Sequence, residues 1–231
     1  MRSFAARTPP HAAPELMDAI TDPAELERCL ADLAAVNRAS LGYRPVLRFV
    51  DRLVARRPGR TRILDVGSGY GDTLRQVARH LARRGVEADL VGADLNPVAT
   101  AIARGASEGL AITYVTRDAR ALAADEPFDA VIASLFTHHL EDEEVVTFLR
   151  VMDRVGSFLI NDLYRSRLAA VGFAALATVT RRHEVVRHDG PVSFARAFRR
   201  ADWQRLLADA GVTDTRIGIG APFRLCVEKL A

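Results

Sequence analysis

The chain has 231 residues, 49% of them hydrophobic, with 32 basic residues against 29 acidic ones and a formal net charge of +3. That length and apolar content suffice for one substantial core, and charges interspersed without a block of like sign argue against a nucleic-acid footprint. Cys29 and Cys226 stand apart from each other and from any CxxC spacing, so neither a disulfide framework nor a zinc cluster is indicated and a reducing cytoplasm fits.

In chain order, residues 1–20 carry arginine but lack the apolar stretch of a secretory signal, and read as a flexible tail. The next stretch, 21–58, predicts two helices. Asp22 is an N-cap, Pro23 the first helical residue, and Leu26, Leu30, Leu33 and Val36 form one apolar face. A turn at Leu41-Gly42-Tyr43-Arg44 leads to a helix from Pro45 to Arg56. From Thr61 the pattern alternates strand and helix, which predicts a mostly parallel sheet covered on both faces. Strands are expected at Thr61 to Val66, Asp89 to Ala93, Ile112 to Thr116, Phe128 to Ala133 and Ser157 to Asn161. Helices are expected from Thr73 to Arg84, after Asn96-Pro97, from Glu143 with Asp142 as N-cap, and around Trp203, Leu206, Leu207 and Ala210. Two closing runs, Val212 to Ile219 and Phe223 to Val227, have no helix between them and read as an antiparallel hairpin. All of this is expected to form a single domain spanning 1–231. The longest uncharged apolar run, Leu168 to Thr180, is too short to cross a bilayer.

The stretch ILDVGSGYGD, Ile63 to Asp72, is the most informative. An aliphatic strand runs directly into Gly67, Gly69 and Gly71 and then into a helix, where backbone N–H groups can approach a ligand at the positive end of the helix. The spacing is GxGxG, and Asp65 stands two residues before the first glycine. A carboxylate there would repel a pyrophosphate and attract an amine or sulfonium, which disfavours a nicotinamide-dependent reductase. Asp94 closes the second strand, where a carboxylate can accept two ribose hydroxyls. Asp118 follows the third strand and can accept from an exocyclic adenine amine, with Ala119 offering a backbone donor.

At these residues the sequence resembles the class I S-adenosylmethionine-dependent methyltransferases, whose first motif is D/E-x-G-x-G-x-G, and the resemblance runs from Asn37 to the C-terminus. It implies a Rossmann-like α/β fold with strand order 3-2-1-4-5-7-6, S-adenosylmethionine as methyl donor and S-adenosylhomocysteine as product. It implies further that Asp65, Gly67, Ser68, Gly69, Gly71, Asp94, Leu95, Asp118, Ala119 and Ser134 hold the cofactor. NRASLGYRP looks like the segment that closes over the methionine end in the small-molecule branch, with Arg44 pairing its carboxylate and Tyr43 covering it; the plain alternative leaves Arg44 exposed at a helix start.

Ser134 to Thr137 reads SLFT where amino-methylating relatives carry [DN]PP[YF], which argues against nucleic-acid bases and glutamine as acceptors. ASLFTHHLED instead resembles quinone-biosynthesis and natural-product methyltransferases. Three readings of the histidine pair compete. Zinc is disfavoured because adjacent side chains diverge, a loop-filling role is plausible, and imidazole is the natural base near neutral pH. His139 is favoured over His138 because the HLxD wording places it. An insertion at 163–200, built on the apolar run and flanked by Arg165, Arg167, Arg181 and Arg182, predicts a substrate lid, a core helix, or a surface for peripheral contact with an anionic membrane. His188, Asp189, Tyr164 and Asn161 are the polar candidates for the acceptor. The expected activity is methyl transfer to a small aromatic or lipophilic acceptor, at oxygen rather than carbon and without a metal. An RNA or protein methyltransferase and a non-catalytic cofactor-binding subunit are the alternatives, and monomer and homodimer both stay open.

Overall fold

The aliphatic runs pair edge to edge because each is apolar on both sides and needs cover above and below. The structure, a computed structural model, describes residues 4–57, 59–118, 127–220 and 223–231. Helices α1 (Pro23–Ala39) and α2 (Arg44–Arg56) precede β1 (Thr61–Val66), α3 (Asp72–Arg83), β2 (Ala88–Asp94), α4 (Pro97–Ala106) and β3 (Ile112–Thr116). Then come β4 (Ala130–Ser134), α5 (Asp142–Val155), β5 (Ser157–Leu163), α6 (Arg167–Val179), α7 (Glu184–Arg196), α8 (Arg200–Ala210), β6 (Arg216–Gly220) and β7 (Arg224–Lys229). The strands form one sheet in the order β3-β2-β1-β4-β5-β7-β6. The five strands β1–β5 run parallel, and β7 pairs antiparallel with both β5 and β6. This is the expected topology, closing hairpin included.

Alternation along the strands divides the core. Leu64, Val131 and Ala133 face Phe148, Leu149 and Trp203 of α5 and α8, whereas Ile63 and Ile132 face Phe49, Leu53, Leu74 and Val77 of α2 and α3. Cap chemistry sets several helix starts. The Asp22 and Asn96 side chains accept from N–H groups of the first turns of α1 and α4. The α5 start differs from expectation: Glu141, not Asp142, is the cap, in a reciprocal arrangement with Glu144. Asp142 lies within the helix and instead receives Arg7 Nη1 at 2.7 Å.

Two larger corrections concern regions with weak local patterns. Residues 4–20 are not a loose tail. Two short 3-10 turns fold them back onto the C-terminal half, where Thr8 N donates to Ala195 O at 3.0 Å and Asp189 accepts from Leu16 N and Met17 N, each at 2.9 Å. The insertion after β5 is a pair of helices, α6 and α7, packed against each other. Ala169, Ala170 and Ala177 of α6 are buried, while Leu168 at 72% and Val179 at 81% face outward. No helix among the described residues is long and apolar enough to cross a membrane.

Candidate functional site

A cavity of about 780 Å³ opens above the carboxyl ends of the central strands, within the usual size of a small-molecule site. Its floor is Gly67, Gly69, Ala93, Asp94 and Asp118; its wall is Leu26, Leu30, Leu33 and Val36 of α1; its roof includes Phe173 and Leu176 of α6 with Val186 and Phe194 of α7. The apolar face of α1 therefore covers the site as well as the core.

The glycine loop is shaped for close approach. Gly67 has φ +63° and Gly71 φ +70°, a region that side chains rarely enter. A Cβ on Gly67 would lie 2.3 Å from the Phe136 ring, and one on Gly71 would lie 2.2 Å from Tyr114 Oη. Gly67 thus lets the β1 and β4 loops meet, while Gly71 buttresses the loop from behind and does not line the cavity. Leu135, itself at φ +56°, directs Phe136 to that contact. Asp94 is the loop's clasp, since its two oxygens accept from Gly69 N at 2.8 Å and Asn96 N at 2.9 Å. Leu95 and Asn96 continue the rim.

Asp65 is buried at the end of β1, its Oδ1 has no hydrogen-bond partner, and the nearby Ser68 hydroxyl also lacks one. Burial, reinforced by the negative charges of Asp72 and Asp94, pushes the Asp65 carboxyl well above the usual range. An orphaned buried acid beside a glycine loop fits a cationic ligand group. Loop, rim acids and orphan together suit a nucleoside that carries an amino-acid tail. Asp118 lines the same cavity beside Arg117; Ala119 lies outside the described residues.

At the other end stand the histidines. Their rings do not diverge, but lie tilted by 37° with centroids 4.3 Å apart. The structure brings His138, rather than His139, onto a buried carboxylate: His138 Nδ1 is 2.7 Å from Asp162 Oδ1. Asp162 also accepts from Thr137 Oγ1 at 2.6 Å, Leu163 N at 2.7 Å and His138 N at 3.0 Å. Burial alone would raise its pKa, but the field of His138 and these hydrogen bonds outweigh it and hold the Asp162 carboxyl well below the ordinary carboxylate range. His139 is pushed well below the imidazole range first by burial and then by the fields of His138 and Arg196. Glu15 closes the cluster, 3.8 Å from His138 Nε2, 3.9 Å from His139 Nε2 and 3.1 Å from Arg196 Nη1. Burial raises its pKa against the opposing pull of His138 and Arg196. Glu15, His138 and His139 bring their ligand atoms within 4.8 Å of one another, and Arg196 already supplies positive charge there.

Several expected site residues have other roles. Arg44 is exposed at the start of α2 and outside the cavity lining, as the plain alternative had it. The Tyr43 hydroxyl is turned to Ala34 O at 3.0 Å and to Asp72. Asn161 donates at 3.0 Å to both Gly42 O and Ser134 Oγ, and so ties the α1–α2 turn to the sheet. Tyr164 forms a bridge with Phe198 and packs on the core. His188 is exposed and leans on Asp189, and it is Asp189 that lines the cavity. Sequence reasoning missed Asp162, Glu15, Arg196 and Arg224. Only Asp162 left a local signal, as a charge ending the apolar strand SFLIND.

Comparisons with known proteins bear on this geometry. Residues 63–156 match the family model described as "Methyltransferase domain". No curated protein matches the sequence. Among solved structures, a SAM dependent methyltransferase from Aquifex aeolicus is similar at 16% identity and TM-score 0.61, over 91% of this chain and 98% of that one. The plantazolicin methyltransferase BpumL in complex with SAH is similar at 14% identity and TM-score 0.59, over 90% of this chain and 98% of that one. The citrinin polyketide synthase CMeT domain is similar at 17% identity and TM-score 0.61, over 82% of this chain but only 52% of that one. At such identities the likeness is one of fold.

Proposed function

We propose that this protein, whose residues 63–156 are a methyltransferase domain on a Rossmann-like methyltransferase fold, transfers a methyl group from S-adenosylmethionine to a hydroxyl of a small lipophilic acceptor. The observation that carries the reading is the two-ended cavity, with the glycine loop and rim acids at one end and the Asp162–His138 pair at the other, joined by an apolar chamber. Asp65, Gly67, Ser68 and Gly69 would hold the amino-acid end of the cofactor, Asp94 the ribose and Asp118 the adenine. Bound there, the sulfonium supplies an activated methyl group, so the chain's own task is to align the acceptor and remove its proton.

Asp162 fixes the imidazole of His138. In the neutral ring Nδ1–H donates to Asp162 Oδ1, which leaves the Nε2 lone pair to take a proton from the acceptor hydroxyl. The resulting imidazolium is stabilised by the same buried carboxylate, and a positioned base of this kind typically contributes about 10² to 10⁴-fold. Leu26, Leu30, Leu33, Phe173 and Leu176 exclude water and favour an apolar or aromatic body over a charged one. The likeness in fold to a plantazolicin methyltransferase and to a citrinin polyketide synthase domain supports a small acceptor of that kind here.

The test is a two-step one. Calorimetric titration with S-adenosylhomocysteine should give one site per chain, and folded protein that binds none would sink the cofactor half. Methyl-labelled donor should then label members of a panel of phenolic and hydroxylated polyketide-like compounds. Label appearing only on RNA or protein substrates would favour the macromolecular alternative.

A further inference from the structure

Helix α6 is apolar on both of its faces, and only one of them is covered. Ala169, Ala170 and Ala177 are buried, and Phe173 turns inward to meet Phe194 of α7 edge to face, with ring centroids 5.9 Å apart. On the opposite side Leu168, Val171, Ala175 and Val179 recur at three- and four-residue spacing and all face outward. A helix that is hydrophobic all round is ordinarily enclosed by protein or lipid, and at 13 residues α6 is too short to span a bilayer. The bare face is also continuous with the cavity. Leu176, 42% exposed and three residues before Val179, lines the chamber, and so do the exposed Leu95 and Phe223.

Charge selects what covers this face. From Leu163 to His183 the chain carries four arginines and no acid. Arg165 and Arg182 are paired with Asp202 and Asp32, whereas Arg167 and Arg181 are exposed at the two ends of the apolar stripe. A second copy laid on α6 about a two-fold axis would set arginine against arginine whether the helices ran parallel or antiparallel. An anionic lipid surface meets the stripe and the arginines together.

We propose that the outer face of α6 docks on an anionic phospholipid leaflet, Leu168, Val171 and Val179 entering the headgroup boundary and Arg167 and Arg181 meeting the lipid phosphates, so that the apolar mouth at Leu176 is turned toward the lipid. The docking stands apart from the methyltransferase reading; entry of a lipophilic acceptor from that lipid rests on it.

The experiment is co-sedimentation of the full chain with phosphatidylcholine vesicles made with and without phosphatidylglycerol. Wild type is expected to bind the anionic vesicles about tenfold or more tightly than the neutral ones and to lose that preference in high salt. The double variant Leu168→Gln/Val179→Gln should bind about tenfold or more weakly, through lost apolar burial. Arg181→Gln should bind about fivefold more weakly, the contribution of one basic residue near such a surface. Thermal unfolding and titration with S-adenosylhomocysteine in solution should be unchanged in both, because the altered side chains are exposed. Wild type that binds no anionic vesicle, or a double variant that binds as wild type does, would overturn the inference. So would a concentration-dependent dimer that the double variant dissolves, since a second copy would then cover the face. Vesicle binding by a chain that binds no S-adenosylhomocysteine would uphold the docking and overturn the functional reading. With both bindings in place, the double variant should methylate a vesicle-dissolved acceptor more slowly than wild type and a water-soluble one at the same rate; equal rates on both would overturn entry from the lipid.

Discussion

The two ends of the cavity are built differently. The glycine loop is made by neighbours in sequence: β1, its turn and the start of α3 set the backbone shape, and Asp94 clasps it from the adjacent strand. The histidine end is assembled from segments remote in the chain. Glu15 is held by Ser193 at 2.7 Å, Leu16 and Met17 by Asp189, and Arg182 by Asp32 at 3.0 Å. A shared donor calls for a locally encoded site, whereas an acceptor pocket can be reshaped by changing long-range contacts while the loop stays fixed. The contrast predicts that damage at one end leaves the other functional.

The sharpest separation is expected from Asp162→Asn. It should lower turnover by about 10² to 10⁴-fold, as loss of a positioned base does, while S-adenosylhomocysteine affinity stays within about twofold; equal losses of both would merge the two ends. Gly67→Ala should do the reverse. Its strained φ, costing about 1–3 kcal/mol, and its clash with Phe136 should weaken cofactor binding by about tenfold or more, read by titration. Gly190→Ala places a Cβ 1.9 Å from the Phe173 ring, between α7 and α6. Overpacking of that kind costs about 1–3 kcal/mol, so thermal unfolding should shift down and the acceptor KM should rise, with cofactor affinity little changed.

The smallest effect concerns pH. The pKa of His139 is lower in the folded chain than the unfolded value of about 6.5. Below that value the unfolded chain binds more protons than the folded one, so this contribution to stability is present above about pH 6.5 and is lost as pH falls toward the folded pKa. His139→Gln should therefore flatten the denaturation midpoint between about pH 6.5 and 5 relative to wild type. An unchanged slope would show that other groups carry it.

The same contrast explains what the sequence made legible. Strand order, the closing hairpin and the glycine loop followed from period, caps and spacing, because each depends on residues within one or two elements. The folded-back segment 4–20 did not, since it has no apolar period and its placement comes from contacts far away in the chain, such as Leu16 with Asp189 and Arg7 with Arg196. Arg44 and Arg224 illustrate the same limit. A helix-start arginine near a family-like segment is visible in one dimension, but an arginine that an antiparallel strand returns to the cavity is not. The HLxD wording pointed to His139, whereas burial and the charge ending β5 put His138 against Asp162. Strand register likewise sets Asn161 against the Gly42 carbonyl and Tyr164 against the core, contacts that no local pattern announces.

The most direct test of the account is single-turnover methyl transfer, with saturating donor and an acceptor found in the labelled panel, compared between His138→Gln and His139→Gln. The account predicts that His138→Gln slows the transfer by about 100-fold or more and that His139→Gln stays close to wild type. Comparable rates in the two variants, or a loss confined to His139→Gln, would contradict it.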